Sequence, residues 1–301
     1  MDQFVHLREK LSRSCPSLEL RIQEPMSRHT SFHIGGPAAL MALPRTAEEA
    51  AAAMKTAAEL GIEPFFMGNG SNLLAADEGI ERFLIKTVPG LEECRLRGQE
   101  IWADSGVPLA RLAVFARDRG LSGLEFAHGI PGSLGGAVTM NAGAYGGEMA
   151  QVVRSVTCLT ARGAEETVTE CGFGYRHSNF SDGKRFILRV KLALRPEDPE
   201  TIRETMEQLS ARRRAKQPLE YPSAGSMFKR PEGHYAAALI EQCGLKGLTV
   251  GGAQVSEKHA GFVVNRGDAT CRDVLELVDQ VRARVLAQTG VELEMEVRVL
   301  R

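Results

Sequence analysis

No apolar run in the 301 residues approaches the roughly 20 needed to span a bilayer. The opening stretch, MDQFVHLREKL, mixes acids and bases without an apolar core, so neither a membrane partner nor a secretory leader is expected. No sign of charge dominates. There are 37 Lys and Arg against 38 Asp and Glu, a net charge of −1, so an anionic ligand must be met by a local cluster and not by the overall field. Aromatic residues are scarce at 6% and do not interleave with basic ones, which argues against a nucleic-acid partner. The six cysteines, at 15, 94, 158, 171, 243 and 271, contain no C-x-x-C pair. That excludes the usual zinc and disulfide spacings and points to reduced thiols in a cytoplasmic protein.

Several familiar site motifs are also missing. The two G-x-G pairs, Gly68/Gly70 and Gly172/Gly174, have no third glycine at the dinucleotide-fingerprint spacing. Gly183-Lys184 lacks the upstream glycine of a phosphate-binding P-loop, and no G-x-S-x-G elbow occurs. His29 and His33 stand four apart, but Thr-Ser-Phe between them and Gly-Gly after them do not make a metal-binding helix, so no metal is expected.

What is present is an ordinary globular mix, 43% hydrophobic and 25% charged, long enough for two domains. Helices are predicted over Ala47–Leu60, with Thr46 and Glu49 in capping-box positions, and over Leu109–Arg119, between Pro108 and Gly120. Short strands are predicted at Pro64–Met67, Phe83–Thr87 and Glu100–Asp104. Residues 185–194 alternate, with Phe186, Leu188, Val190, Leu192 and Leu194 on one face and Arg185, Arg189 and Lys191 on the other. This is the pattern of an antiparallel strand with one wet side. Arg195-Pro196-Glu197-Asp198-Pro199 reads as a linker, after which a helix runs from Pro199 to Lys216 and stops before Pro218. Further helices are predicted at Tyr235–Gln242 and at Arg272–Gln288, the latter capped by Thr270 and Asp273, and a final alternating strand at Val291–Val299. Strands and helices do not alternate strictly, so the class is α+β, with a boundary near 196–200.

Glycine is unevenly spread: of 31, nine fall between Gly120 and Gly147. Such density marks tight turns or backbone that approaches a ligand closely. The turn Gly68-Asn69-Gly70-Ser71-Asn72, directly after an apolar strand, allows successive N–H groups to converge on a diphosphate, although such segments also occur as plain turns. The strip 129–147, which includes Pro131, Gly132, Ser133, Gly135, Gly136, Asn141 and Gly143, is bare enough to lie against a planar cofactor. Its Ile, Leu, Val and Met content is unlike a flexible linker.

These segments, with Thr30–Pro37, Gly172–Arg176, Ala224–Lys229, Gly251–Val255 and Glu296–Arg298, resemble the UDP-N-acetylenolpyruvoylglucosamine reductase family, in order and over essentially the whole chain. The short stretch between Leu194 and Arg212 resembles the subtype that lacks a tyrosine-bearing loop. The resemblance implies an FAD-binding fold of the vanillyl-alcohol-oxidase (PCMH) type over 1–198, in two lobes of about 1–88 and 89–198. A smaller α+β substrate domain over 199–301 follows. It also implies noncovalent FAD, NADPH as hydride donor, the enolpyruvyl ether of UDP-N-acetylglucosamine as substrate and a role in peptidoglycan precursor synthesis, with no obligate protein partner. Two competing readings are an FAD oxidase or dehydrogenase of the same fold with another substrate, and a nucleotide-binding regulator without turnover.

Carried over by motif, the catalytic residues are Arg176, Ser226 and Glu296, and the cofactor segments are the 68–72 turn and the 131–143 strip. Tyr175, Lys216 and Lys229 are the substrate-binding candidates. Arginine suits a carboxylate because its planar fork grips both oxygens and stays charged. Ser226 is the implied proton donor, although a serine in a Gly-Ser turn also serves as plain turn chemistry. Glu296 shares a face with Glu292, Glu294 and Arg298 and reads, alone, as a solvated charge. The Arg212–Lys216 cluster fits either an anion site or complementation of a helix C-terminus. Two positions depart from the family pattern: His29 and Arg230 each stand where asparagine is usual or frequent, so no ligand contact is carried onto either.

Overall fold

The computed structural model describes residues 3–301, which carry seven α-helices: α1 Gln3–Ser14, α2 Ala47–Glu59, α3 Leu109–Arg117, α4 Leu134–Thr139, α5 Pro199–Lys216, α6 Ala236–Gln242 and α7 Cys271–Thr289. Among the described residues no helix is long and apolar enough to cross a membrane. The chain divides into two compact units. The first comprises Met1–Ile22, Ala39–Asn69 and Arg82–Ala211, and the second Gln23–Ala38, Gly70–Glu81 and Arg212–Arg301.

In the first unit a five-stranded sheet runs in the order 165–168, 153–159, 186–193, 100–104, 94–97, with every pairing antiparallel. The expected alternation over 186–193 holds only in part: Val190 and Leu192 are buried and Arg189 and Lys191 are not, but Ile187 is buried as well. Ile187 shares a core with Val190 and Leu192, whereas Phe186 and Leu188 belong to a separate one, because the pairing with 153–159 shifts register between Thr157 and Cys158. On the wet face Arg189 pairs with the buried Asp104 (3.0 Å) and Lys191 with Glu100 (2.8 Å). Ile101, Val156, Val190 and Leu192 join Leu109 and Leu112 of α3 and Leu134 and Val138 of α4 in one core. A separate core packs Leu7 and Leu11 of α1 on Ala50, Ala53 and Met54 of α2, with Phe83 and Ile85 from the strand Ile80–Lys86. That strand runs parallel to Phe65–Met67 in a four-stranded sheet with Glu19–Pro25 and Pro37–Leu43. Neither α1 nor these last two strands is anticipated from the sequence.

The second unit has its own core. Leu74, Phe228, Ile240, Val263, Val274, Leu277, Val281 and Leu293 pack between α6, α7 and the antiparallel sheet 249–250, 253–255, 263–265. A single boundary after residue 198 is the sequence expectation. The compact unit that holds the C-terminal residues also takes in residues 23–38 and 70–81. The reason lies in pairing at long separation: Arg298–Leu300 runs parallel to Leu73–Ala75, and Gly36 donates to the Ala76 carbonyl (2.8 Å).

The final strand corrects the sequence reading. Only Arg298–Leu300 joins a sheet. The residues before it are extended but pair with a different segment, through Lys229 N to Glu294 O and Glu296 N to Met227 O (2.9 Å each). Alternating side chains fix an extended backbone, not a single ladder partner.

Caps explain where the helices begin. Asp198 accepts the Thr201 N–H at 3.0 Å ahead of α5. Thr46 accepts the Glu49 N–H, but the Glu49 carboxylate reaches past the expected capping-box donor to Arg45 N (2.7 Å). At α7 the box is complete: Thr270 Oγ1 accepts Asp273 N, and Asp273 Oδ2 accepts Thr270 N, both at 3.0 Å. The Thr270 N–H foremost holds the Asp273 carboxyl below its ordinary range. Thr270→Ala should therefore cost about 1 kcal/mol, read as a lower urea midpoint. The destabilisation caused by Asp273→Asn should persist at neutral pH and shrink as pH falls through the depressed Asp273 pKa, where the native carboxyl protonates as well.

Candidate active site

The strand Phe65–Met67 delivers the chain into the 68–72 turn. Gly68 is obligatory there, because a Cβ would stand 1.9 Å from the Ser133 hydroxyl. Gly70 has φ +64 and lies against the His29 carbonyl, which a Cβ would approach to 2.1 Å. Among the described residues, the N–H groups of Gly68, Asn69, Gly70 and Ser71 donate to no protein acceptor. Successive unmade donors of this kind are what an anion-binding nest requires. Asn69 ties the turn to the second glycine-rich segment through Nδ2 to the Pro131 carbonyl (3.1 Å).

That second segment is not one flat strip. Residues 134–139 form α4, and Gly143–Ala144 and Gly147–Glu148 make a hairpin whose turn, Tyr145 (φ 55) and Gly146 (φ 87), has the two positive φ angles of a type I′ turn. The glycines also divide by role. Gly135 backs onto Ser105, where a Cβ would meet the serine Cβ at 2.9 Å, and Gly143 backs onto Gly147, whose carbonyl a Cβ would approach to 2.8 Å, so both serve the protein's own packing. Gly136 is exposed. The N–H groups of Gly132, Ser133 and Gly136 lack acceptors among the described residues. The Ser133 hydroxyl is buried, 1% exposed, and without a hydrogen-bond partner, as is that of Ser105. A buried polar group left unpaired costs about 1–3 kcal/mol, which makes the Ser133 hydroxyl a candidate for a bond to a polar ligand atom.

Tyr175 and Arg176 form the tip of a turn closed by Gly174 N to His177 O (3.0 Å) and His177 N to Gly174 O (3.2 Å). Arg176 is in the left-handed region at φ +55, which costs a non-glycine residue about 1–2 kcal/mol. Its guanidinium lies 5.4 Å from the Tyr175 ring centroid, and Tyr175 is 57% exposed. Asn141, proposed from sequence as a cofactor residue, is buried, and its amide is spent on the protein: Nδ2 donates to Gly174 O (3.1 Å) and Oδ1 accepts Ala150 N (2.9 Å).

The second unit gathers the remaining candidates. Ser31 is a junction: its N–H donates to Gly70 O (3.3 Å), its hydroxyl donates to Ser223 O (2.7 Å), and its carbonyl accepts Ser223 N (3.1 Å). Asn72 Nδ2 donates to the Glu296 carbonyl (3.2 Å). Ser226 is exposed, bridged to Phe262, and the next residue, Met227, accepts the Glu296 N–H, so Ser226 and Glu296 lie on adjacent extended segments. Lys229 pairs with Glu294 at the surface. Lys216, exposed at the end of α5, has its charge felt by His259, whose imidazole burial first of all pushes below its ordinary pKa. The departures from the family pattern have local partners: His29 Nε2 is buried 2.7 Å from Glu24, and the Arg230 guanidinium sits 4.2 Å from the Tyr235 ring.

Sequence reasoning missed the buried Asn265, whose Nδ2 holds Phe32 O (3.1 Å) and whose Oδ1 accepts Gly267 N (2.8 Å) and Ala269 N (3.1 Å). It also left Ser31 without a role beyond the motif that contains it. The turn-forming Asn-x-Gly at 265–267 was the available signal for the first.

Residues 217–300 match the family model of the UDP-N-acetylenolpyruvoylglucosamine reductase C-terminal domain, and residues 38–169 match that of an FAD binding domain. The chain is 50% identical over 281 residues to the UDP-N-acetylenolpyruvoylglucosamine reductase of Heliobacterium modesticaldum, covering 92% of this chain and 90% of the relative. It superimposes on the crystal structure of the corresponding reductase of Thermus caldophilus with a TM-score of 0.80 at 38% identity, over 94% of this chain and 99% of that one. A likeness to 4-ethylphenol oxidase from Gulosibacter chungangensis, TM-score 0.51 at 13% identity over 97% of this chain and 65% of that one, concerns the fold alone.

Ser133 gives a test of the nest. Ser133→Ala removes a hydroxyl that the polypeptide itself leaves unpaired, so the flavin-free protein should melt no earlier than wild type. FAD affinity should fall about 3- to 10-fold, the worth of one neutral hydrogen bond. Fluorescence titration of apoprotein reads the second effect, and unchanged affinity would remove Ser133 from the cofactor site.

Proposed function

The chain belongs to the UDP-N-acetylenolpyruvoylglucosamine reductase family, and from that membership we propose how its own residues divide the work. It is an FAD-containing, NADPH-dependent oxidoreductase that converts the enolpyruvyl ether of UDP-N-acetylglucosamine to UDP-N-acetylmuramate for peptidoglycan, built on the FAD-binding fold of the vanillyl-alcohol-oxidase type. The observation that carries the residue assignment is the set of unmade donors: the N–H groups of 68–71, 132, 133 and 136 and the buried Ser133 hydroxyl. They fit the diphosphate and polar edge of FAD, with Gly68, Asn69, Gly70 and Ser71 as donors in one segment and Gly132, Ser133 and Gly136 in the other. Asn72, Pro131 and Gly135 shape the two segments, Gly135 N donating to Ser105 O (2.7 Å). Asn141 and Gly143, which serve the protein's own packing, are assigned no flavin contact. Bound FAD supplies a two-electron relay from the nicotinamide to the substrate, which no side chain here can provide.

Arg176 grips the substrate carboxylate in two-point fashion and, permanently charged, stabilises the negative charge that delocalises into it. The Ser226 hydroxyl gives its proton to the carbon next to that carboxylate. Its exposure on the extended segment at 226–229 leaves the hydroxyl free to reach a ligand. Glu296 acts in the same step, its backbone pinned on both sides, N–H to Met227 O and carbonyl to Asn72. Tyr175, Lys216 and Lys229 bind the rest of the substrate. The Lys229–Glu294 pair is a surface ion pair of about 0–1 kcal/mol, so exchanging the carboxylate for a ligand anion costs little. A cytoplasmic location suits the six free cysteines and the nucleotide substrates.

FAD is held without a covalent bond. Of the three histidines near the flavin segments, His29 has its Nε2 on the Glu24 carboxylate, His128 has Nδ1 3.2 Å from the Ser210 hydroxyl, and His33 is exposed. Acid precipitation should leave the yellow colour in the supernatant, and colour in the pellet would show a tether.

The two half-reactions separate the roles. Anaerobic NADPH should bleach the purified protein, and the enolpyruvyl substrate should restore the colour. Ser226→Ala should leave the first phase near wild type and slow the second about 10²–10⁴-fold, the usual contribution of a positioned general acid. Stopped-flow absorbance follows both. Equal slowing of the two phases would make Ser226 structural.

A further inference from the structure

We propose that Asn141 is a positioning residue for Arg176, its side-chain amide setting the turn that presents the guanidinium; the proposal rests on the reading of Arg176 given above. Asn141 is 2% exposed and itself adopts a left-handed backbone, φ +42, which asparagine tolerates better than other side chains. Its amide is satisfied at both ends within the protein. One end meets the Gly174 carbonyl, which also accepts the His177 N–H that closes the Tyr175–Arg176 turn. The bond from Asn141 therefore acts on the hinge of that turn. This matters because Arg176 sits at φ +55, a conformation that an unanchored turn would leave.

The other end of the lever is equally fixed. Asn141 lies two residues beyond α4, the helix that Ser133 precedes and whose first turn carries Gly136, and Oδ1 is held by Ala150 N. Beyond the turn, the hydroxyls of Ser178 (2.9 Å) and Ser181 (2.8 Å) both donate to Thr139 O, so the loop is fastened to the same stretch of backbone on its far side. Ser178 and Ser181 hold the base of the loop, while Asn141 holds its tip. The glycine-rich segment and the Arg176 turn thus share one hydrogen-bonded frame. Asn141 transmits the position of the first to the second.

Asn141→Asp keeps the acceptor for Ala150 N and the tolerance for positive φ, but its carboxylate cannot donate to Gly174 O. Asn141→Gly keeps the backbone conformation and removes both bonds, and serves if the aspartate variant does not fold. In FAD-loaded enzyme, either variant should retain flavin and be bleached by NADPH within about twofold of wild type. Reoxidation by the enolpyruvyl substrate should slow at least tenfold, with a higher half-saturating substrate concentration. Combined with Arg176→Ala, Asn141→Asp should slow reoxidation no further than Arg176→Ala alone. Multiplicative losses in the double variant, wild-type reoxidation in the single one, or loss of flavin from both Asn141 variants would each overturn the proposal. An Arg176→Ala enzyme that reoxidises at the wild-type rate would instead overturn the reading of Arg176, and the proposal with it.

Discussion

The missing Cβ at Gly68 lets the Ser133 hydroxyl occupy the space beside the 68–72 turn, at a distance where any other residue would collide. Much of the first unit's site follows from that approach. Asn69 can reach Pro131, Ser133 is left buried without a partner, and the turn presents N–H groups instead of side chains. The polypeptide carries this unsatisfied polarity at a cost in its own stability. Donors left unmade by the protein favour a ligand that brings acceptors, a polar and anionic one above all.

A second arrangement does for the catalytic candidates what this one does for the cofactor segments. Ser31 joins the turn at Gly70 to Ser223, three residues before Ser226, while Asn72 joins the same turn to Glu296. Segments near positions 30, 70, 224 and 296 are therefore locked together by backbone carbonyls and short polar side chains. Long flexible side chains would do this badly, because each loses more rotamer freedom when fixed.

Of the five non-glycine residues with positive φ among the described residues, three lie beside the assigned chemistry, Gln23 and His33 being the others. Arg176, Asn141 and Tyr145 are non-glycine residues with positive φ in or beside the glycine-rich segment and the Arg176 turn. In each unit the apolar clusters are continuous and well buried, and it is this packing that can hold a few unfavourable backbone conformations in place.

Local chemistry was legible in the sequence. Proline and aspartate set the start of α5, Thr270 and Asp273 set the start of α7, and period-two alternation set which side chains of 189–192 are buried, because each depends on neighbours within a few residues. The register shift that buries Ile187 as well does not. The glycine turn at 68–72 and the strip at 129–147 stood out for the same reason, while the resemblance named Arg176, Ser226 and Glu296. The sequence could not tell which glycines serve packing and which face a ligand, since Gly135 and Gly136 differ only in what lies opposite. Nor could it show that the alternating residues at 291–299 serve two partners in turn, or that Asn141 spends its amide on Gly174. Those outcomes depend on contacts between segments far apart in the chain. Spacing within a segment specifies a conformation and a face, but only the tertiary structure supplies the atom on the other side.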